Sequence, residues 1–227
     1  MSINKKKFKR SIFHIHEDNR IAFGFTESDA DINDIGEYLN AEKILQLEQV
    51  HGNKIFFSNN IQEKSEGDGI ILCERKILIV IRTADCVPLF FRTRDYKYAG
   101  IIHIGWRGLY LGIGQNLIDL LKRMGTGTND LFFFTGPAIE GRCYNVQSDL
   151  VEKFRESDFI IDDLFKKIAN GQYLMDLIKG ITVCLKRIGV PKRNITHSDI
   201  CTFCDKRFPS YRRSDQAKRI FNFVLFK

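Results

Sequence analysis

Two histidines and a cysteine stand at the edges of strongly apolar stretches: His51 in EQVHGNK, Cys86 in TADCVPL and His103 in IIHIGW. Strand interiors favour Val, Ile and Leu, so polar groups gathered at strand ends point to a site rather than to packing. Two imidazoles and one thiolate form a donor set that suits Zn²⁺, and three protein ligands leave the fourth tetrahedral position to water or substrate. The same side chains have plainer uses, because a buried Cys is a small hydrophobe and a strand-end His is commonly satisfied in the core or at the surface. A third use is covalent, with Cys86 as nucleophile and His103 as its base.

The neighbours extend the pattern. GWRGL (Gly105–Leu109) follows the strand of His103 and opens a helix, so the backbone N–H groups from Gly105 through Trp106 and Arg107 to Gly108, with the Arg107 guanidinium, would face an anion of phosphate size. The alternative is a plain turn in which the glycines relieve strain. Asp85, beside Cys86, either moves a proton at the site or bonds backbone amides at a strand end. Tyr211, Arg212 and Arg213 could grip phosphate or anchor the C-terminal strand through salt bridges. Cys201 and Cys204 form a single C-x-x-C with His197 the one histidine near it, and packing rather than a second metal is expected of them.

These residues need elements to position them. Apolar runs at 55–57, 70–72, 77–81, 87–91, 99–104, 131–135 and 220–226 read as strands. A helix is expected after Arg107, with Ile113, Leu117, Leu120, Leu121 and Met124 on one face and Gly125 as its stop. A second is expected over 149–157, where Asp149 and Glu152 have capping-box spacing, and a third over 173–188. The strands between residues 54 and 104 leave no room for helical crossovers, so the sheet should be antiparallel or mixed. No linker divides the chain, and a single mixed α/β (α+β) domain over residues 1–227 is the economical reading.

Composition narrows the class. At 227 residues with 44% hydrophobic content and 19 phenylalanines, the chain can bury a sizeable core. No apolar run reaches the ~20 residues of a membrane span, and the basic start is not followed by a secretory apolar segment, so a cytoplasmic protein without membrane partners is expected. Six cysteines are too sparse for a disulfide scaffold. The net charge of +7 is scattered among acidic residues without a stripe, which argues against nucleic acid and leaves room for an anionic small substrate.

Five ordered motifs resemble the YfiH-like, laccase-domain proteins, also called the purine nucleoside phosphorylase or polyphenol oxidase family: QVHG (49–52), TADCVPL (83–89), HIGWRGL (103–109), GPAI followed by CYNV (136–139, 143–146), and CT with PSYRRSD (201–202, 209–215). The resemblance implies a layered α/β/β/α architecture with mixed sheets covered by helices. It also implies one zinc bound by His51, Cys86 and His103, with copper as an alternative occupant. Cys143 and Tyr144 would line the pocket, Tyr211–Arg213 would bind substrate, and Asp68 in EGDGI matches an acidic position. The N-terminal third departs from the family pattern, and Ala217–Arg219 replaces its usual Thr-Gly-Arg.

The activities implied are phosphorolysis of adenosine, inosine and methylthioadenosine, adenosine deamination, copper-dependent phenol oxidation, and editing of peptidoglycan precursors. Reduction of oxygen by four electrons needs several copper centres, which five histidines, two of them in the motifs, do not furnish. The expectation is therefore a zinc-dependent purine nucleoside enzyme in which Asp85 and Arg107 act in catalysis, taking purine nucleoside and phosphate as partners and working as a monomer or homodimer. A cysteine hydrolase built on Cys86 is the alternative.

Overall fold

The computed structural model describes residues 2–155, 164–169, 171–215 and 217–227. The first part of the chain forms β1 (Asn4–Phe8), β2 (Ser11–Glu17), β3 (Ile21–Thr26), α1 (Ile32–Tyr38), β4 (Lys43–Gln46) and β5 (Ile55–Phe57). The middle forms β6 (Gly69–Leu72), β7 (Ile77–Thr83), β8 (Val87–Thr93), β9 (Ala99–Ile104), α2 (Trp106–Tyr110), α3 (Ile113–Arg123) and β10 (Leu131–Thr135). The remainder forms β11 (Asn145–Gln147), α4 (Ser148–Arg155), β12 (Phe165–Lys167), β13 (Gln172–Met175), α5 (Leu177–Arg187), β14 (Ile195–His197) and β15 (Ile220–Phe226).

Two six-stranded mixed sheets, ordered β1-β2-β3-β15-β7-β4 and β14-β10-β8-β9-β6-β5, pack face to face. The central strands read as unbroken apolar runs because both of their faces are buried. In β7, Ile79 and Ile81 point between the sheets, whereas Leu78 and Val80 point outward to a cluster with Ile35 of α1, Phe13 and Phe223. In β9, Ile101 faces the inter-sheet layer, and Ile102 and Ile104 face the helices with Leu109, Leu117 and Ile181. The layers are therefore helix, sheet, sheet, helix, as the resemblance implied. The antiparallel β7–β15, β6–β9 and β8–β9 pairs, together with the parallel β4–β7 and β5–β6 pairs, make both sheets mixed.

Every strand expected from an apolar run is present, with Ala99–Ile104, Leu131–Thr135 and Ile220–Phe226 at the expected bounds. Two helical expectations need correction, and a third is met to within one residue at its start. The helix after Arg107 is two helices, because Gly112 takes a left-handed φ of 73° between them, and Gly125 (φ 83°) follows the second as expected. The expected 173–188 helix loses its first turn to β13, since Tyr173 and Leu174 pair with Lys167, Val146 and their neighbours; Asp176 then caps Lys179 N–H and starts α5. The 149–157 helix begins at Ser148, and its expected end at Ser157 lies outside the described residues. No helix among the described residues is long and apolar enough to cross a membrane.

Phe223 is fully buried in β15, a central strand, with its ring edge-on to Phe13. Phe223→Ala should lower unfolding stability by about 3–5 kcal/mol through lost transfer energy and the cavity left behind; urea titration measures it, and a loss under ~1 kcal/mol would contradict this packing.

Candidate active site

His51, Cys86 and His103 come from three elements and meet. Their donor atoms all lie within 4.8 Å of one another, and the two imidazole rings stand edge-on with centroids 4.7 Å apart. His103 is the penultimate residue of β9 and is buried, Cys86 immediately precedes β8, and His51 sits on the exposed loop before β5. Gly105 closes the space beside them: a Cβ there would stand 3.1 Å from the His51 ring and 3.2 Å from Cys86 Sγ. The trio fits a metal by donor chemistry and by this close approach.

Asp68, fully buried, organises two of the three. Its carboxylate accepts the backbone N–H groups of Val50 (3.3 Å), His51 (3.0 Å) and Gly52 (2.6 Å), and its Oδ1 lies 2.7 Å from His103 Nδ1. An ionised carboxylate accepts, so His103 carries its proton on Nδ1 and leaves Nε2 for a metal or a thiol. Burial alone would raise the Asp68 carboxyl, but His103 and the Gly52 and His51 amides hold it below the usual carboxylate range. The converging amides also stabilise His51 in its left-handed backbone (φ 57°), a conformation rare outside glycine.

Asp85 is held just as firmly. Its φ is 83°, its carbonyl accepts Ile139 N–H (3.0 Å), and its carboxylate accepts Thr202 Oγ1 (2.7 Å), Ser210 Oγ (3.1 Å) and Arg212 N–H (2.8 Å). Both oxygens are occupied, by two hydroxyls and one amide, so Asp85 acts as a strand-end anchor rather than as an open proton-transfer group. The residue aims Cys86 and ties it to the 202–212 segment.

The trio opens into a cavity of about 720 Å³. Gly105, Trp106, Arg107, Tyr144, Tyr211 and Arg212 line it. Three expected residues do not. Gly108 packs with its Cα against the Gly52 carbonyl, and Cys143 turns toward Cys204. The Arg213 guanidinium is spent on the carbonyls of Thr202, Phe203 and Phe208 and on Asp215. Two arginines not among the expected site residues, Arg82 and Arg219, line the cavity as well. Arg82 is legible as the charged residue near the end of the apolar run of β7, and Arg219 as the arginine that ends the Ala217–Arg219 stretch standing in place of Thr-Gly-Arg.

Burial disfavours both charged forms of the Cys86–His103 pair, yet each partner stabilises the other. The His103 charge and hydrogen bonds from both histidines bring Cys86 down from 9.0 to about 6. The Cys86 thiolate and the Asp68 bond raise His103 from 6.5 to about 9. Burial, with the Cys86 charge, pushes the Tyr144 phenol up to about 12, so it stays neutral.

The chain belongs to the family described as multi-copper polyphenol oxidoreductase laccase, whose model matches residues 30–227. It is similar to a purine nucleoside phosphorylase of Rickettsia prowazekii, 31% identical over 188 residues covering 82% of this chain and 77% of that one. It is also similar to the purine nucleoside phosphorylase YlmD of Bacillus subtilis, 26% identical over 223 residues covering 88% and 79%. Among solved structures, YlmD of Geobacillus stearothermophilus superposes with a TM-score of 0.80 at 27% identity, covering 91% of this chain and 92% of that one. YfiH of Bacillus licheniformis reaches 0.84 at 24% identity over 98% and 99%, which establishes the fold.

In metal-free protein the thiolate–imidazolium pair has a defined pH window. Cys86, lowered to about 6, contributes stability present above its unfolded value and lost as pH falls through 6; His103, raised to about 9, contributes stability present below 6.5 and lost as pH rises through 9. Alkylation of Cys86 by iodoacetamide after chelation should thus begin near pH 6 rather than near 9. Asp68→Asn should move that onset upward, and an unchanged onset near 9 in the parent protein would refute the pair.

Proposed function

We propose that this chain is a zinc-dependent purine nucleoside enzyme that splits adenosine, inosine and methylthioadenosine with inorganic phosphate and deaminates adenosine at the same centre. One observation carries the reading: the His51–Cys86–His103 donors open onto a cavity that also holds Arg82, Arg107, Arg212, Arg219 and the Trp106 ring. The relatives named purine nucleoside phosphorylase supply the substrate class.

Phosphorolysis breaks the bond between ribose C1′ and the base nitrogen and forms a bond from C1′ to a phosphate oxygen; the base leaves with the bonding pair and takes up one proton. The developing charge at C1′ is cationic, so an anion held beside it stabilises the transition state. Arg107 and Arg212 are the groups we assign to phosphate, the planar fork of each guanidinium matching a pair of its oxygens. Arg212 is pre-aimed by its bond to the Asn145 carbonyl (2.8 Å) and by lying 4.7 Å over the Tyr144 ring. Trp106 and Tyr144 supply aromatic surface for the purine, and Tyr144, kept neutral, offers it a hydrogen. Zinc held by the three donors would supply Lewis acidity and, for deamination, an activated water. Asp68 and Asp85 position the ligands.

A second reading has an observation of its own. Asp68, His103 and Cys86 also stand in the order of an orienting carboxylate, a base and a thiol nucleophile, which suits a hydrolase editing amide bonds such as those of peptidoglycan precursors. Copper-based phenol oxidation finds less support, since His14, His16 and His197 make their hydrogen bonds to Glu27, the Ser2 carbonyl and Thr135 instead.

Metal-analysed protein incubated with adenosine should release adenine and ribose 1-phosphate with phosphate present, and inosine in its absence. His103→Ala should abolish metal binding and turnover together. Arg107→Ala should raise the KM for phosphate about tenfold or more while changing deamination less. Neither product, or full activity after chelation with Cys86 as the labelled nucleophile, would overturn the proposal.

A further inference from the structure

Next in the chain to Tyr144, which lines the cavity, stands a cluster of three sulfur atoms. Cys143, Cys201 and Cys204 bring their sulfur atoms within 4.8 Å of one another, with Cys143 Sγ 3.5 Å from Cys204 Sγ. Cys201 is buried, Cys143 half-buried and Cys204 exposed, so the cluster has one side open to solvent. Two separate turns supply it. Gly141–Cys143 carries the first thiol, and the turn closed by Asp205 N–H on the Cys201 carbonyl (2.9 Å) carries the other two. The strand bridge between Ala138 and Cys201 holds the two turns in register.

We propose that these three cysteines form a second metal site, binding a thiophilic d¹⁰ cation, Zn²⁺ or Cu⁺, that staples the Cys143 turn to the Cys201–Cys204 turn. Thiolate ligation selects these ions, and the exposed side leaves room for a water on zinc or for a three-coordinate copper. The surroundings of Cys201 are those of a thiolate ligand: the Glu140 N–H points at its sulfur at 3.5 Å, and the Phe203 and Cys204 amides join it. Burial works against a charged sulfur there, and those amides outweigh it to lower Cys201, whereas burial and the neighbouring thiols push Cys143 up to about 12. A cation offsets that mutual repulsion, and binding releases the thiol protons to solvent. The staple would act on the neighbouring site through chain continuity, since Tyr144 follows Cys143 and Thr202, which bonds Asp85, follows Cys201.

The proposal is independent of what the His51 centre binds or does, and its test is built to separate the two. Full-length reduced protein is loaded with Zn²⁺ in one arm and with Cu⁺ in the other, then desalted and analysed for metal and for alkylatable thiols. His51→Ala/Cys86→Ser should retain one ion per chain, and adding Cys204→Ser should remove it. Because Cys204 is exposed, the single Cys204→Ser variant should keep its circular dichroism and lose one ion relative to wild type, which covers the case in which the double variant fails to fold. Co²⁺ in the double variant should show thiolate-to-metal charge-transfer absorption that Cys204→Ser abolishes. Equal metal content in wild type and Cys204→Ser under both cations would overturn the proposal. So would a Cys143–Cys204 disulfide, found by mass spectrometry, in the metal-loaded protein.

Discussion

A single buried carboxylate sets the geometry on which the candidate site depends. Asp68 has no access to solvent, so its charge must be matched by hydrogen bonds from the chain, and it takes them from three consecutive amides of the His51 loop and from the ring of His103. That demand bends His51 into a left-handed conformation, fixes which nitrogen of His103 is free, and brings residues from separate strands into one cluster. Removing the carboxylate would leave the three loop amides and the His103 Nδ1–H without their acceptor.

Asp85 repeats the device beside Cys86. It spends its carboxylate on Thr202, Ser210 and the Arg212 amide, so the segment after the second sheet is bound to the residue that precedes Cys86. The three donors thereby sit between two clamps, and Arg212 arrives with the segment that Asp85 holds. A site that gathers cationic side chains needs such rigidity, because guanidinium groups repel one another until an anion neutralises them.

The sheet sandwich explains why the site lies where it does. β7, β8 and β9 are buried on both faces, so polar groups find room at their ends, and the ends of these strands are where Thr83, Asp85, Cys86 and His103 lie. Apolar runs identified those strands well because burial on both faces leaves no alternation to obscure them. The N-terminal strands were harder to see: β1, NKKKF, is an edge strand with mostly exposed lysines, and its identity comes from pairing with β2 rather than from its own pattern. Likewise Tyr173 and Leu174 carry a helical period but join a small sheet, because β11 and β12 offer them backbone partners.

By itself the chain's order of residues determined the donor types, the strand ends that bear them, the family, and the aromatic and basic groups of GWRGL and YRR. Those features are local, and their meaning survives without knowledge of distant partners. Tertiary structure alone decided which of them converge. It placed Arg82 and Arg219 on the cavity and withdrew Cys143 and Arg213 from it. It also joined Cys143 to Cys201 and Cys204, and made Asp68 and Asp85 into clamps. Each of these outcomes depends on hydrogen bonds or packing between segments remote in the chain, and such contacts are set by how the two sheets close on each other.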